Sequence, residues 1–131
     1  MALHPETAIT MADGQFIPAG DIEKGDEVLA FNTEERTIAP AKVTAVETVL
    51  HSKVISVRVT EEIACSEGQL FLMSDFTSKK AIELKPGDLV LKEDASATAI
   101  KSVRAVEKPA ELIAIKTEKG YLSAEGVFVS E

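Results

Sequence analysis

The sequence is short of the residues that anchor disulfides, metals and nucleic acids. It holds one cysteine, Cys65, and two histidines, His4 and His51. A single thiol excludes an intramolecular disulfide, and with the histidines far apart no Cys/His cluster has metal-ligand spacing. Basic residues are also scarce: 14 against 22 acidic ones leave a formal charge of −8, which repels phosphate backbones and argues against a nucleic-acid partner. No apolar run approaches the roughly 20 residues that cross a bilayer, and the N-terminus lacks the basic-then-apolar pattern of a secretory signal. These absences predict a soluble, cytoplasmic, monomeric chain with no membrane partner and no metal or other cofactor.

Helical periodicity is missing as well. Nowhere does an amphipathic 3.6-residue pattern run for the ~10 to 12 residues a helix usually needs, so the fold class expected is all-β. At 131 residues the chain fits one domain, spanning 1–131, that can bury roughly two-thirds of its unfolded surface without a staple.

What the chain does have is an internal repeat. Lys24-Gly25-Asp26-Glu27-Val28-Leu29 returns as Pro86-Gly87-Asp88-Leu89-Val90-Leu91, 62 positions later. Val43 to Glu47 returns as Val103 to Glu107 at an offset of 60, and Val54 to Val57 as Leu112 to Ile115 at 58. Cys65-Ser66-Glu67-Gly68-Gln69-Leu70-Phe71 matches Ser123-Ala124-Glu125-Gly126-Val127-Phe128-Val129, also at 58. Four matches in one order imply two related halves, about 2–73 and 74–131, whose Gly-Asp turns should superpose after a half-turn. Glycine supplies a positive φ there and the aspartate binds the turn locally, so Asp26 and Asp88 read as turn formers and not as a paired-carboxylate site.

Along the chain, Thr7 to Thr10 and Phe16-Ile17 flank an Asp13-Gly14 hairpin signal. Asp21 to Lys24 has room for one helical turn, and Ser78 to Leu84 could hold another. Strands are expected at 27–31, 37–50, 53–60 and 69–73. In the second half they are expected at 98–107, 111–117, 121–123 and 127–129, with Lys92 to Ala97 as a polar loop between the halves. Many short strands in two similar halves imply a closed or interlocked β structure.

Three stretches together resemble a known family. Ala2-Leu3-His4-Pro5-Glu6-Thr7-Ala8-Ile9 with Asp13-Gly14 and the Gly25-Asp26 block looks like the N-terminal block of the Hedgehog/intein, or Hint, domains. Ile63-Ala64-Cys65-Ser66-Glu67-Gly68-Gln69 lies where that family has Thr-x-x-His, and Tyr121 to Glu131 lies where its last block ends in His-Asn. The resemblance covers the whole chain and is nearest to bacterial intein-like domains and mini-inteins. It implies a pseudo-twofold horseshoe of short strands that processes its own flanking polypeptide without a cofactor. A Cys or Ser at the first position would attack the preceding carbonyl, the Thr-x-x-His block would position and protonate that peptide, and a terminal Asn would cyclise.

The site residues carried over by the resemblance are Ala2 at the nucleophile position, Ser66, Gln69, Ser130 and Glu131. Ala2 has no attacking atom. Ser66 keeps a hydroxyl, Gln69 replaces the His and cannot carry a proton, and Ser130-Glu131 replaces His-Asn. The function expected is therefore intein-like self-processing, autocleavage or splicing, inactive as written. The alternative is a degenerate Hint module with a structural or contact role in a larger host. Either a substitution at position 2 of a competent domain or a naturally degenerate domain fits this pattern. Both chain ends should meet beside Ser66 and Gln69. Cys65 is expected to be inert core, with His4 and His51 solvent-facing.

Overall fold

In the computed structural model, which describes residues 2–130, the chain is built from fourteen strands and two single 3₁₀ turns, with no α-helix among the described residues. The early strands are β1 Ala8–Thr10, β2 Phe16–Pro18, β3 Glu27–Asn32, β4 Thr37–His51, β5 Val54–Arg58, β6 Glu62–Cys65 and β7 Leu70–Leu72. The later ones are β8 Ser78–Lys80, β9 Leu89–Leu91, β10 Ala97–Ala99, β11 Ser102–Val106, β12 Ala110–Thr117, β13 Gly120–Ala124 and β14 Val127–Ser130. The largest sheet runs β12-β4-β3-β13-β14-β7-β8, with β1 joined to β13 and β2, while β11-β5-β6 and β10-β9 form smaller sheets. No helix among the described residues is long and apolar enough to cross a membrane.

The sequence repeat returns as repeated hydrogen bonds. Gly25 donates its N–H to the Val43 carbonyl (2.9 Å) and Gly87 to that of Ile100 (2.8 Å). Asp26 Oδ2 accepts the Glu23 N–H at 2.9 Å, as Asp88 Oδ2 accepts that of Lys85 at 3.0 Å. Gly25 and Gly87 have φ of 96° and 94°, a conformation a side chain would strain. Asp26 and Asp88 are therefore turn formers, as the sequence indicates. The early and late strands are also exchanged, since β4 pairs with β12 and β5 with β11. This exchange joins both parts around one core in which Ile9, Val28, Val57, Ile63, Phe71 and Leu122 are all buried.

Three details depart from the sequence reading, and one bears it out. The first helical turn lies at Ala19–Asp21, not Asp21 to Lys24, because Pro18 (φ −58°) leads directly into it and Ile22 already leaves extended with a buried side chain. The second turn falls, as expected, within Ser78 to Leu84, at Ala81–Glu83 after β8. Lys92 to Ala97 is no loop between halves but the turn of the β9–β10 hairpin, closed by Asp94 Oδ1 on the Ser96 N–H (3.0 Å) and hydroxyl (2.6 Å). The run from Thr98 to Glu107 splits into β10 and β11 because Ile100 buries its side chain and turns its N–H to the Asp88 carbonyl.

Candidate functional site

The tight turn Ser66 to Gln69 joins β6 to β7, and the Gln69 N–H closes it on the Ser66 carbonyl at 3.2 Å. That closure directs Ser66 and Gln69 into the interior, where both are buried. The N-terminal segment lies against this turn. Ala2, 1% exposed, donates its N–H to Ser66 Oγ at 2.9 Å, and its carbonyl accepts the Ser66 N–H at 2.9 Å. Leu3 exchanges two backbone bonds with Ile113 on β12, at 2.8 and 2.7 Å, and His4 donates to the Ala64 carbonyl on β6 at 2.8 Å. The first residues thus complete a sheet between β6 and β12.

The other end of the chain reaches the same turn from β14. Gln69 Nε2 donates to the Leu70 carbonyl at 3.2 Å and, in a short bond, to the carbonyl of Ser130. Val129 pairs with Phe71, which holds β14 beside the turn. Ala2, Ser66, Gln69 and Ser130 are therefore brought together, while Glu131 lies outside the described residues.

The chemistry available at this junction is hydrogen bonding. Ser66 Oγ accepts the N–H of Ala2, the nitrogen of the peptide bond that precedes it, at 2.9 Å. Gln69 carries two amide donors and no group that takes up or releases a proton near neutral pH. No group of three His, Cys, Asp or Glu that could hold a metal ion exists among the described residues.

Cys65 adjoins the turn but faces the core, with its Sγ 3.5 Å from the Ile55 carbonyl. Burial pushes its thiol from an ordinary 9.0 up to about 12. At pH 8 only ~10⁻⁴ of it is thiolate, so a thiol reagent should label Cys65 far more slowly in the folded chain than in urea. The raised value also fixes a sign: the folded chain holds this proton more tightly than the unfolded one. The stability that results is complete below pH 9 and falls away as pH rises from 9.0 to about 12. Unfolding of the native chain and of Cys65→Ala in urea at pH 8 and pH 11 measures it. The difference between the two should shrink at the higher pH.

Of the two histidines, only His51 departs from expectation. His4 is exposed, as the sequence suggests, with Nδ1 accepting the Glu6 N–H at 3.1 Å, and it lines a cavity of about 260 Å³ away from Ser66. His51 is not solvent-facing: it ends β4 half-buried opposite Ala110, with its Nε2 buried and unpartnered. Its pairing with Ala110 at the end of the β4–β12 ladder, and not a place in a free turn, accounts for the difference.

Sequence reading missed a second polar cluster. Glu93 Oε2 accepts bonds from Thr10 Oγ1 (2.7 Å) and Ser123 Oγ (2.6 Å). These residues are drawn from three separate strands or turns, and nothing local in the sequence links them. Glu125, left-handed at φ 49°, binds the Ala8 N–H through Oε1 at 2.7 Å, and only its Glu-Gly repeat could have drawn attention to it.

With this geometry in view, solved structures supply the comparison. An intein-like domain from Clostridium thermocellum superposes with a TM-score of 0.90 at 18% identity, over 100% of this chain and 99% of that one. A DnaB intein from Synechocystis gives 0.88 at 20% identity, over 98% and 96% of the two chains. The chain has the Hint fold. The gp41-1 intein agrees, with a TM-score of 0.82 at 21% identity over 99% of this chain and 98% of its own. No protein-family model and no curated protein matches the sequence.

Proposed function

We propose that the chain is an intein-like self-processing module, acting on its own flanking polypeptide, in which Ala2 silences the first acyl shift. The Ser66 hydroxyl at 2.9 Å from the Ala2 nitrogen carries this reading, because it grips the one peptide bond that such chemistry would break. In that step a heteroatom on residue 2 would attack the preceding carbonyl carbon. The C–N bond would break, an ester or thioester would form, and the freed amine would take a proton. Ala2 offers no heteroatom, and Gln69 no proton.

A second reading has its own observation. The Gln69 amide is engaged by the Ser130 carbonyl, fastening β14 to the same turn that holds Ala2 through Ser66, a fixed arrangement that suits a non-catalytic structural module in a larger host. The experiment that separates the readings is mass analysis of the chain fused between two test flanks and carrying Ala2→Cys. Cleavage at the N-terminal junction supports a silenced processing module. A folded variant that never cleaves supports the structural one.

A further inference from the structure

The small sheet β11-β5-β6 turns one face to the core and the other outward. Ile55, Val57 and Val103 belong to the core side. Because side chains alternate along a strand, Ser56 and Arg58 on β5 and Ser102 and Arg104 on β11 share the outer face. The register sets them in two facing pairs, Ser56 opposite Arg104 and Arg58 opposite Ser102. With Glu62 of β6, which stands opposite Arg58, these four line a cavity of about 280 Å³ that no residue of the chain-end junction touches.

Two independent observations point to a ligand there. Ser56 is only 8% exposed although it stands on the outer face, and its hydroxyl has no hydrogen-bond partner among the described residues. A buried hydroxyl is costly unless something in the cavity satisfies it. The fold does not demand that hydroxyl, since the repeat places Ala114 at the equivalent position, 58 residues on. The second observation is Arg104. Of the three arginines in the chain, Arg36 lies over the Phe76 ring and Arg58 Nη2 is 3.5 Å from Glu62 Oε2, whereas Arg104 has no ion pair or ring contact among the described residues. With 22 acidic residues in the chain, this guanidinium is still left without a carboxylate.

We propose that this cavity binds a small carboxylate monoanion, gripped by the Arg104 guanidinium and receiving a further hydrogen bond from the Ser56 hydroxyl. The planar fork of arginine matches the two oxygens of a carboxylate. A phosphate dianion suits the cavity less well, because Arg58 is already matched by Glu62 and the second negative charge would face that carboxylate. The volume of about 280 Å³ lies just under the roughly 300 Å³ at which pockets for drug-sized ligands begin, so the ligand is a short carboxylate, either free or at the tip of an acidic side chain.

The test is NMR titration of the whole chain with sodium acetate, against sodium chloride and sodium phosphate at matched ionic strength. Acetate should give saturable shifts at Ser56, Ser102 and Arg104, chloride none that saturate, and phosphate weaker binding than acetate. Nα-acetyl-glutamate amide separates the two sources: binding at least as tight as that of acetate assigns the site to an acidic side chain, and weaker binding assigns it to a free carboxylate. Arg104→Ala, at an exposed position, should weaken acetate at least about tenfold, and Ser56→Ala at least about threefold, the range for a charged and a neutral hydrogen bond. Glu62→Gln should tighten acetate by removing the opposing charge and freeing Arg58. Because Arg104 and Glu62 are both exposed, these two variants keep the idea testable should Ser56→Ala misfold. Shifts that merely follow ionic strength, phosphate binding tighter than acetate, undiminished binding to a folded Arg104→Ala or Ser56→Ala, or weaker binding to Glu62→Gln would each overturn it.

Discussion

Placed between test flanks, the chain as it stands should leave both junctions intact even with a strong thiol, and Ala2→Cys alone should yield slow thiol-dependent cleavage at the N-terminal junction. The first half of that result follows from composition at one position, since no binding energy replaces a missing sulfur. The second follows from geometry. Ser66 already holds the amide of residue 2 at 2.9 Å, so an added thiol meets an oriented peptide. Its rate should stay low because Gln69 orients without protonating. Adding Gln69→His should raise it by roughly 10² to 10⁴, the usual contribution of a general acid. Full splicing should still fail, because Ser130-Glu131 offers no amide side chain to cyclise. Ala2 is buried, so each variant is checked for its fold by NMR before its cleavage is timed. Thiol-dependent cleavage of the unmodified chain would contradict the proposal, as would a folded Ala2→Cys, Gln69→His variant that never cleaves.

How much of this could be read from the chain depends on the range of the interaction. The Gly25 and Gly87 turns were legible because a positive φ and a local carboxylate are demands met within four residues. The strands were legible from alternation, and the meeting of Ala2 with Ser66 from the resemblance to the Hint family. Features that depend on contacts far apart in sequence left no such trace. Thr10, Glu93 and Ser123 converge across separations of up to 113 residues, and the Gln69 tie to Ser130 spans 61. His51 looked exposed because its partner strand, β12, begins 59 positions later at Ala110. The pairing of β4 with β12 and of β11 with β5 is likewise a tertiary outcome that no local signal specifies.

The repeat also shows where the molecule is asymmetric. A pseudo-symmetric scaffold satisfies its turns and core twice with equivalent residues, so departures from equivalence mark positions free of that shared demand. Ser66 and Gln69 correspond to Ala124 and Val127 in the 58-residue series, and only the first pair faces the chain ends with hydrogen-bonding groups. Ile17 against Lys79 is a second such departure, and Phe76 against Gly14 a third. Phe76 holds a left-handed φ of 69° where its counterpart is glycine, and it stacks on Phe31 at 5.7 Å with Arg36 4.6 Å above its ring.

The largest loss of stability is expected from Phe71→Ala. Phe71 is fully buried in the main core on β7, the strand that follows the Ser66 to Gln69 turn and pairs with β14 through Val129. Removing a buried phenylalanine ring from a packed site costs about 3 to 5 kcal/mol, through lost transfer energy and the cavity left behind. Against a typical domain stability of about 5 to 15 kcal/mol, that is enough to leave the chain marginal. Phe76→Ala makes the contrast, since Phe76 is 37% exposed and its ring contacts are worth only about 0.5 to 1.5 kcal/mol. Urea unfolding of the native chain and both variants, followed by circular dichroism, measures the two losses on one scale. Because β7 carries the turn and anchors the last strand, Phe71→Ala should also loosen the Gln69 contact with Ser130 below the unfolding midpoint, read as faster amide exchange in β14 than in β9. Equal losses for the two variants would mean that Phe71 does not organise the core around the junction, and the link between packing and site drawn from β7 would have to be abandoned.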